Sequence, residues 1–201
     1  MNDEILNHLK QDDKLAFIID QCTLTIHKEP IKVFDDLLRS IVSQQLSTSA
    51  AATIYGRFIN LFDTSHNISQ QILNLNIEQL RSVGLSAQKA QYIQNVCRHF
   101  DENTLHDTNW DTWSDEDIIA ELTKIKGVGK WTVEMILMFS LHRPDVLPLD
   151  DLIIRTKMVE LYGVTSEKKA LIEDLIQIAE SWRPYRSYAC RYLWASKDLK
   201  L

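Results

Sequence analysis

Two adjacent aspartates, Asp150 and Asp151, are the residues of this chain best suited to chemistry. They lie in the segment LPLDDLIIR, at the predicted start of a helix. A carboxylate at a helix start caps free N–H groups and is favoured by the helix dipole. A carboxylate fixed in a pocket of low dielectric can instead stabilise positive charge on a substrate or orient an attacking water. The helix start alone predicts only capping, so the chemistry depends on what accompanies these acids.

A glycine hairpin lies upstream of the acids, in the segment LTKIKGVGKWTVEMI. Gly127 and Gly129 permit a tight turn and a close approach of another backbone. A second helix is predicted to begin at Lys130, and the N–H groups at a helix start favour an anion such as phosphate. Lys124 and Lys126 add positive charge nearby. The segment predicts a site for a nucleic-acid backbone, although G-x-G by itself is also typical of a turn between packed helices.

The elements that must position these groups are predicted to be helices. Apolar residues recur at helical spacing along nearly the whole chain, and sustained period-two alternation is absent. The pattern predicts an all-α fold of about ten helices. One of its apolar stripes consists of Phe34, Leu37, Leu38, Ile41 and Val42.

The composition is that of an ordinary globular protein, with 45% hydrophobic and 25% charged residues among 201. The net charge of −6 opposes nucleic-acid binding only mildly, because such binding depends on local charge. No apolar run reaches the roughly 20 residues that cross a bilayer, and the polar start does not resemble a signal peptide. We expect a monomer without membrane contact, in the cytoplasm with the bacterial nucleoid, or in the nucleus of a eukaryote.

Five motifs together resemble the helix-hairpin-helix (HhH-GPD) DNA glycosylase superfamily, and within it the DNA-3-methyladenine glycosylase II type. They are IVSQQLSTSAA at 41–51, GLSAQKAQYI at 84–93, GVGKWT at 127–132, LPLDDLIIR at 147–155 and WRPYRSYACRYLW at 182–194. The resemblance covers residues 31–195 and matches a short form without the N-terminal β domain of longer members.

The resemblance implies one glycosylase domain over residues 1–201. This domain would consist of two helical subdomains with a DNA-binding cleft between them. We expect one subdomain from residues 1–40 with 145–201, and the other from residues 41–144. The helix-hairpin-helix motif is expected at residues 116–140.

The family places its catalytic acid directly before the pattern L-x-[IV]-[RK], which residues 152–155 match. Asp151 is therefore implied as the catalytic residue, and Asp150 as a helix cap or a solvated acid. The implied reaction is hydrolysis of the N-glycosidic bond of alkylated bases, of the 3-methyladenine and 7-methylguanine type, in base excision repair. The partner is double-stranded DNA, from which the base must be flipped.

Bifunctional relatives carry a lysine directly after G-x-G-x, where its amine forms a Schiff base with the sugar. Trp131 occupies that position here, so we expect no AP-lyase activity. The resemblance implies a base pocket of Trp131, Met135 and Trp194, with Trp131 stacked on the cationic base. Core packing is the alternative for each tryptophan, and we prefer it for Trp182.

DNA contacts are implied for Gln45, Lys126, Gly127, Val128, Gly129, Lys130 and Thr132. Gln45 matches the residue that fills the gap left by a flipped base, with Gln44 the weaker candidate. Its helical phase, shared with Leu38 and Ile41, predicts an unusual polar residue on a core face. Three arginines suit phosphate contact or a solvated face equally well: Arg183, Arg186 and Arg191.

No cofactor is implied, and no side-chain metal site is expected. The chain has three cysteines, Cys22, Cys97 and Cys190, whereas the iron–sulfur loop of some relatives needs four. Backbone carbonyl oxygens of the hairpin remain candidates for a monovalent cation: those of Thr123, Ile125 and Val128.

Other interpretations remain open. The same fold could act on oxidised or deaminated bases. A DNA-binding module without chemistry would keep its affinity when Asp151 is lost, and would release no base. A helical protein-interaction domain would show no salt-dependent DNA binding.

Overall fold

The computed structural model describes residues 3–24, 31–63 and 65–199. These residues form twelve α-helices, one 3-10 helix and one π-helical turn, and they contain no strand. The all-α prediction is confirmed. The predicted number of about ten helices is low, because helices as short as five or seven residues carry too little periodicity to be recognised.

The helices are numbered in chain order. They are α1 (Asp3–Leu9), α2 (Asp13–Gln21), α3 (Val33–Ser43), α4 (Thr48–Ile59), α5 (Ile68–Asn74), α6 (Ile77–Arg81), α7 (Ala87–Glu102), α8 (Asp115–Leu122), α9 (Lys130–Met135), α10 (Leu152–Tyr162), α11 (Lys168–Glu180) and α12 (Arg186–Ala195). A 3-10 helix at Trp110–Thr112 precedes α8, and a π turn at Ile136–Ser140 follows α9. No described helix has the length and apolar character needed to cross a membrane.

The chain divides into two compact units. The terminal unit contains residues 1–30 and 137–201, and the hairpin unit contains residues 31–136. Both boundaries come earlier than the predicted 40/41 and 144/145. Residues 31–40 belong to the hairpin unit because α3 packs against α4 and α7, and the later boundary falls where α9 passes into the π turn.

The core of the hairpin unit is organised around α7, which packs against α3, α5 and α6. Its buried face includes Ile93, Val96, Cys97 and Phe100, at the spacing of one helix face. Burial of each such side chain contributes about 1.5 to 3 kcal/mol. Burial also raises the pKa of the Cys97 thiol to about 12, so this thiol stays protonated at neutral pH.

The core of the terminal unit is formed by α10 packed on α11 and α12, with α2 against α12. Trp182 is fully buried there, as its preferred core role requires. Its indole Nε1 donates a hydrogen bond to Asp12 Oδ2 at 3.1 Å, and the Tyr162 hydroxyl donates to the same oxygen at 2.6 Å. Asp12 also caps α2, so this half-buried carboxylate joins α2 to α10 and to the segment that follows α11.

Candidate functional site

Asp151 is the N-cap of α10, and only 5% of it is exposed. The backbone N–H of Ile154 donates to Asp151 Oδ1 at 3.0 Å, and the indole Nε1 of Trp194 donates to the same oxygen at 2.9 Å. Asp150 is exposed and does not cap the helix, which leaves it as the solvated acid. Of the two adjacent acids, Asp151 is therefore the one that the fold buries and orients.

The two donors on Oδ1 fix the direction of the Asp151 carboxylate. A carboxylate withdrawn from water is costly unless hydrogen-bond donors compensate it, and bonds to a charged acceptor are the stronger kind. The start of α10 adds a favourable dipole. The result is a buried carboxylate of defined orientation, which is the arrangement that stabilises a nearby developing positive charge.

An aromatic stack adjoins the Asp151–Trp194 hydrogen bond. The rings of Trp194 and Phe139 are stacked, with centroids 5.4 Å apart and an interplanar angle of 23°. The Arg191 guanidinium lies 4.6 Å from the Phe139 centroid and donates a hydrogen bond to the carbonyl of Met138. Desolvation lowers the pKa of Arg191. Stacking on Phe139 holds the Trp194 indole in the orientation in which its N–H donates to Asp151.

A cavity of about 420 Å³ opens beside this stack within the terminal unit. Its size is in the range of small-molecule sites, about 300 to 1,000 Å³. Its walls are mainly apolar and aromatic, and two basic side chains contribute to them. The lining residues are Leu24, Phe139, Ile153, Arg191, Trp194, Ala195 and Lys197.

Phe139 is a site residue that the sequence analysis missed. Within the run ILMF the neighbours Ile136, Leu137 and Met138 are buried, whereas Phe139 is 39% exposed. The π turn adds a residue to one helical turn and so shifts the helix phase, a feature frequent at functional sites. The sequence did contain a signal for Phe139, because it follows Trp131 and Met135 at a spacing of four residues, which places residues on the same side of a helix.

The arginines were only partly understood from sequence. Arg191 is half-buried in the stack just described. Arg183 Nη1 and Arg186 Nε both pair with the Asp145 carboxylate, at 2.6 Å and 2.7 Å. These two arginines therefore brace the segment before Asp151, with Arg186 half-buried and Arg183 on the solvated face.

The hairpin between α8 and α9 is held by α7. Its turn closes with a hydrogen bond from the Val128 N–H to the Ile125 carbonyl at 3.0 Å, and Asn95 Nδ2 donates to the Lys126 carbonyl at 3.0 Å. Gly127 has φ +109°, and a Cβ at this position would lie 2.2 Å from Cγ of Tyr92. Only glycine satisfies both the left-handed backbone and the ring packed against it.

The predicted DNA-contacting residues of the hairpin differ in exposure. Lys126, Gly129 and Lys130 are exposed, and the Lys130 ammonium pairs with Glu134 at 3.3 Å. Val128 and Thr132 are 5% and 3% exposed, so their side chains belong to the core and only their backbone can meet a ligand.

The predicted pocket residues are divided between the units. Trp131, 38% exposed, and half-buried Met135 lie on α9 in the hairpin unit. Asp151 and Trp194 lie in the terminal unit, where the structure brings them into direct contact.

Gln45 lies in the connection between α3 and α4 and is exposed. The prediction that it stands on a core face was wrong, because α3 ends at Ser43 and its phase does not reach Gln45. The backbone of Gln45 has φ +57°, a left-handed conformation uncommon for a non-glycine residue.

No group of three or more His, Cys, Asp or Glu side chains within the described ranges is placed to hold a metal ion. Cys22, Cys97 and Cys190 are all free thiols.

The chain is similar to known proteins in both sequence and fold. The model of HhH-GPD superfamily base excision DNA repair proteins matches residues 38–183. DNA-3-methyladenine glycosylase 1 of Schizosaccharomyces pombe is 33% identical over 174 residues, which are 86% of this chain and 74% of that protein. A solved S. pombe 3-methyladenine DNA glycosylase in complex with abasic DNA superposes with a TM-score of 0.79 at 29% identity, covering 98% of this chain and 97% of that one. For a DNA-3-methyladenine glycosidase of Bacillus halodurans the TM-score is 0.81 at 35% identity, covering 96% and 88%.

Proposed function

The chain belongs to the HhH-GPD superfamily of base excision DNA repair proteins, and we propose that it is a monofunctional DNA glycosylase. Its substrates would be alkylated bases of the 3-methyladenine and 7-methylguanine type in double-stranded DNA. The observation that carries the proposal is the buried Asp151 carboxylate, fixed by Ile154 and Trp194 in the frame of the family's catalytic acid. The relatives named for 3-methyladenine, one of them solved with abasic DNA, support the substrate class.

The chemistry requires one carboxylate. When the N-glycosidic bond breaks, its electron pair passes to the cationic base, which leaves neutral, and positive charge develops on the sugar. The Asp151 anion stabilises that charge. Water then forms the new bond at C1′, and its proton passes to Asp151 and on to solvent. The two bonds to Oδ1 keep the carboxylate from rotating during these steps.

The base pocket is proposed to use Trp131, Met135 and Trp194. Trp131 is 38% exposed, and an indole ring suits a cationic alkylated base. Trp194 has a second task in this proposal, because its N–H holds Asp151 while its ring stacks on Phe139.

The DNA backbone is proposed to bind at the hairpin, through the exposed residues Lys126, Gly129 and Lys130 and the backbone of the turn. Gly127 supports this by allowing the turn to close against α7. Gln45 is proposed to fill the gap left by the flipped base, since it is exposed on a short, constrained connection. The enzyme would act as a monomer in the compartment that holds the DNA.

A monovalent cation is a further proposed ligand of the hairpin. Thr123 is the C-cap of α8, and carbonyls at a helix end lack intrahelical partners. The Ile125 carbonyl accepts one hydrogen bond, from Val128, and a carbonyl oxygen has two lone pairs. These neutral oxygens, together with the Val128 carbonyl, would hold a monovalent cation, which would supply positive charge for binding a phosphate.

The test is release of free base from methylated duplex DNA by the native chain, Asp151→Asn and Asp150→Asn. We expect 3-methyladenine or 7-methylguanine from the native chain and from Asp150→Asn, and a rate about a thousandfold lower from Asp151→Asn. Undiminished release by Asp151→Asn contradicts the assignment. Release of only oxidised or deaminated bases would identify the other specificity, and DNA binding without any release would identify a module without chemistry.

A further inference from the structure

Lys89 joins the start of α7 to the end of α3. Its ammonium donates hydrogen bonds to the carbonyl oxygens of Val42, at 2.8 Å, and of Gln44, at 2.7 Å. Carbonyls at a helix C-terminus lack intrahelical partners, and the helix dipole favours a cation there. An ammonium has three donors, so it can serve both oxygens at once. Desolvation lowers the pKa of Lys89, which agrees with a side chain partly withdrawn from water for this purpose.

The residue that follows these carbonyls is Gln45, with φ +57°. A non-glycine residue keeps such a conformation only where its surroundings impose it. On one side the Gln44 carbonyl, which belongs to the peptide bond entering Gln45, is held by Lys89. On the other side the Leu46 N–H donates to the Ser43 carbonyl at 3.2 Å. The Gln45 backbone is thus held at both of its peptide bonds, while its side chain is exposed.

We infer that Lys89 is a positioning residue, which holds Gln45 in the conformation that fills the gap left by a flipped base. The inference rests on the proposed role of Gln45. A side chain fixed before binding loses less conformational entropy when it enters the DNA stack. Without the ammonium, the two carbonyls turn toward water and the Gln45 backbone is released from its left-handed conformation.

The experiment measures the Kd of the full chain for two duplexes, one undamaged and one with a tetrahydrofuran abasic-site analogue. The variants are Lys89→Met, Lys89→Arg, Gln45→Ala and the double variant Lys89→Met/Gln45→Ala. The matched control is Lys169→Met, which removes an exposed lysine of α11 whose ammonium lies 3.5 Å from Glu173. Thermal unfolding accompanies each measurement.

Lys89→Met is expected to weaken binding to the abasic duplex about tenfold. This is the change in Kd that corresponds to the loss of a hydrogen bond from a charged group. Binding to the undamaged duplex, which has no gap, should stay within about twofold, and Lys169→Met should change neither value. Lys89→Arg keeps charged donors and should restore most of the loss. In the double variant the loss should not exceed that of Gln45→Ala alone, because both changes remove one function.

Equal losses on both duplexes would show a merely structural role and overturn the inference, as would additive losses in the double variant. Binding unchanged by Gln45→Ala would overturn the gap-filling role and this inference with it, while Asp151-dependent base release would still stand. If Lys89→Met does not fold, Lys89→Gln, which is neutral and shorter, replaces it with the same expectations.

Discussion

In the terminal unit the proposed catalytic carboxylate is buried and bonded to the half-buried Trp194, whereas the charged and polar side chains proposed for DNA contact in the hairpin unit are exposed. Asp151 and Trp194 meet in a direct, partly buried hydrogen bond beside the cavity. Lys126, Lys130 and Gln45 instead lie in turns or at the start of a helix, and their side chains are exposed. The difference follows from what each task requires of its surroundings.

A carboxylate stabilises positive charge best where water is excluded, so it must be buried and held by donors. A polyanionic backbone can be bound only by groups that it can reach, and these can keep their water until binding. Changes in the terminal unit should therefore alter the rate of base release. Changes in the hairpin unit should alter DNA affinity.

The largest effect on affinity is expected for Gly127→Ala. The new Cβ would lie 2.2 Å from the Tyr92 ring and the backbone has φ +109°, so the hairpin must deform. We expect DNA binding to weaken by about 3 kcal/mol, which is more than a hundredfold in Kd. Gly56→Ala is the control, because a Cβ there meets nothing within 4 Å and alanine suits a helix better. Native affinity in Gly127→Ala would break the assignment of DNA binding to the hairpin.

A smaller effect, on rate alone, is expected for Trp194→Phe. This change keeps a ring to stack on Phe139 and removes the donor to Asp151, so single-turnover base release should slow about tenfold. Trp182→Phe removes a comparable indole donor, to Asp12, within the same unit. It should lower the unfolding temperature without changing the rate. If Trp194→Phe also lowers the unfolding temperature and leaves the rate of base release unchanged, the Trp194 hydrogen bond serves stability only. The terminal unit would then lose its proposed link between this bond and catalysis.

The last prediction is that no covalent enzyme–DNA adduct forms. The hairpin unit contributes no nucleophile in this account, because Trp131 replaces the lysine of bifunctional relatives. Borohydride reduction during turnover should therefore trap no covalent enzyme–DNA adduct. The neighbouring amine is that of Lys130, paired with Glu134. An adduct abolished by Lys130→Ala would place chemistry in the hairpin unit and contradict the division between the units.

The features that sequence predicted correctly are carried by local patterns. Helical periodicity and the G-x-G turn each involve neighbouring residues, and the all-α fold and the family are confirmed. The L-x-[IV]-[RK] frame favours Asp151 over Asp150 as the catalytic residue, which stays a prediction, and the structure shows that Asp151 is buried and caps α10.

The features that sequence did not predict depend on residues far apart in the chain. Trp194 donates to a carboxylate 43 positions away, and Lys89 to carbonyls 45 and 47 positions away. No periodicity encodes such contacts. The exposure of Phe139 depends on a π turn, which no residue type specifies, and Gln45 was misplaced because α3 ends at Ser43.

The central claim is tested most directly by measuring DNA affinity and base release on the same Asp151→Asn protein. Asparagine is an equally good N-cap, and its oxygen can still accept from Ile154 and Trp194, so the variant changes charge and little else. The account predicts release about a thousandfold slower, with the Kd for the abasic-analogue duplex within about threefold of native. Binding lost in proportion to the rate, or release at the native rate, would contradict it.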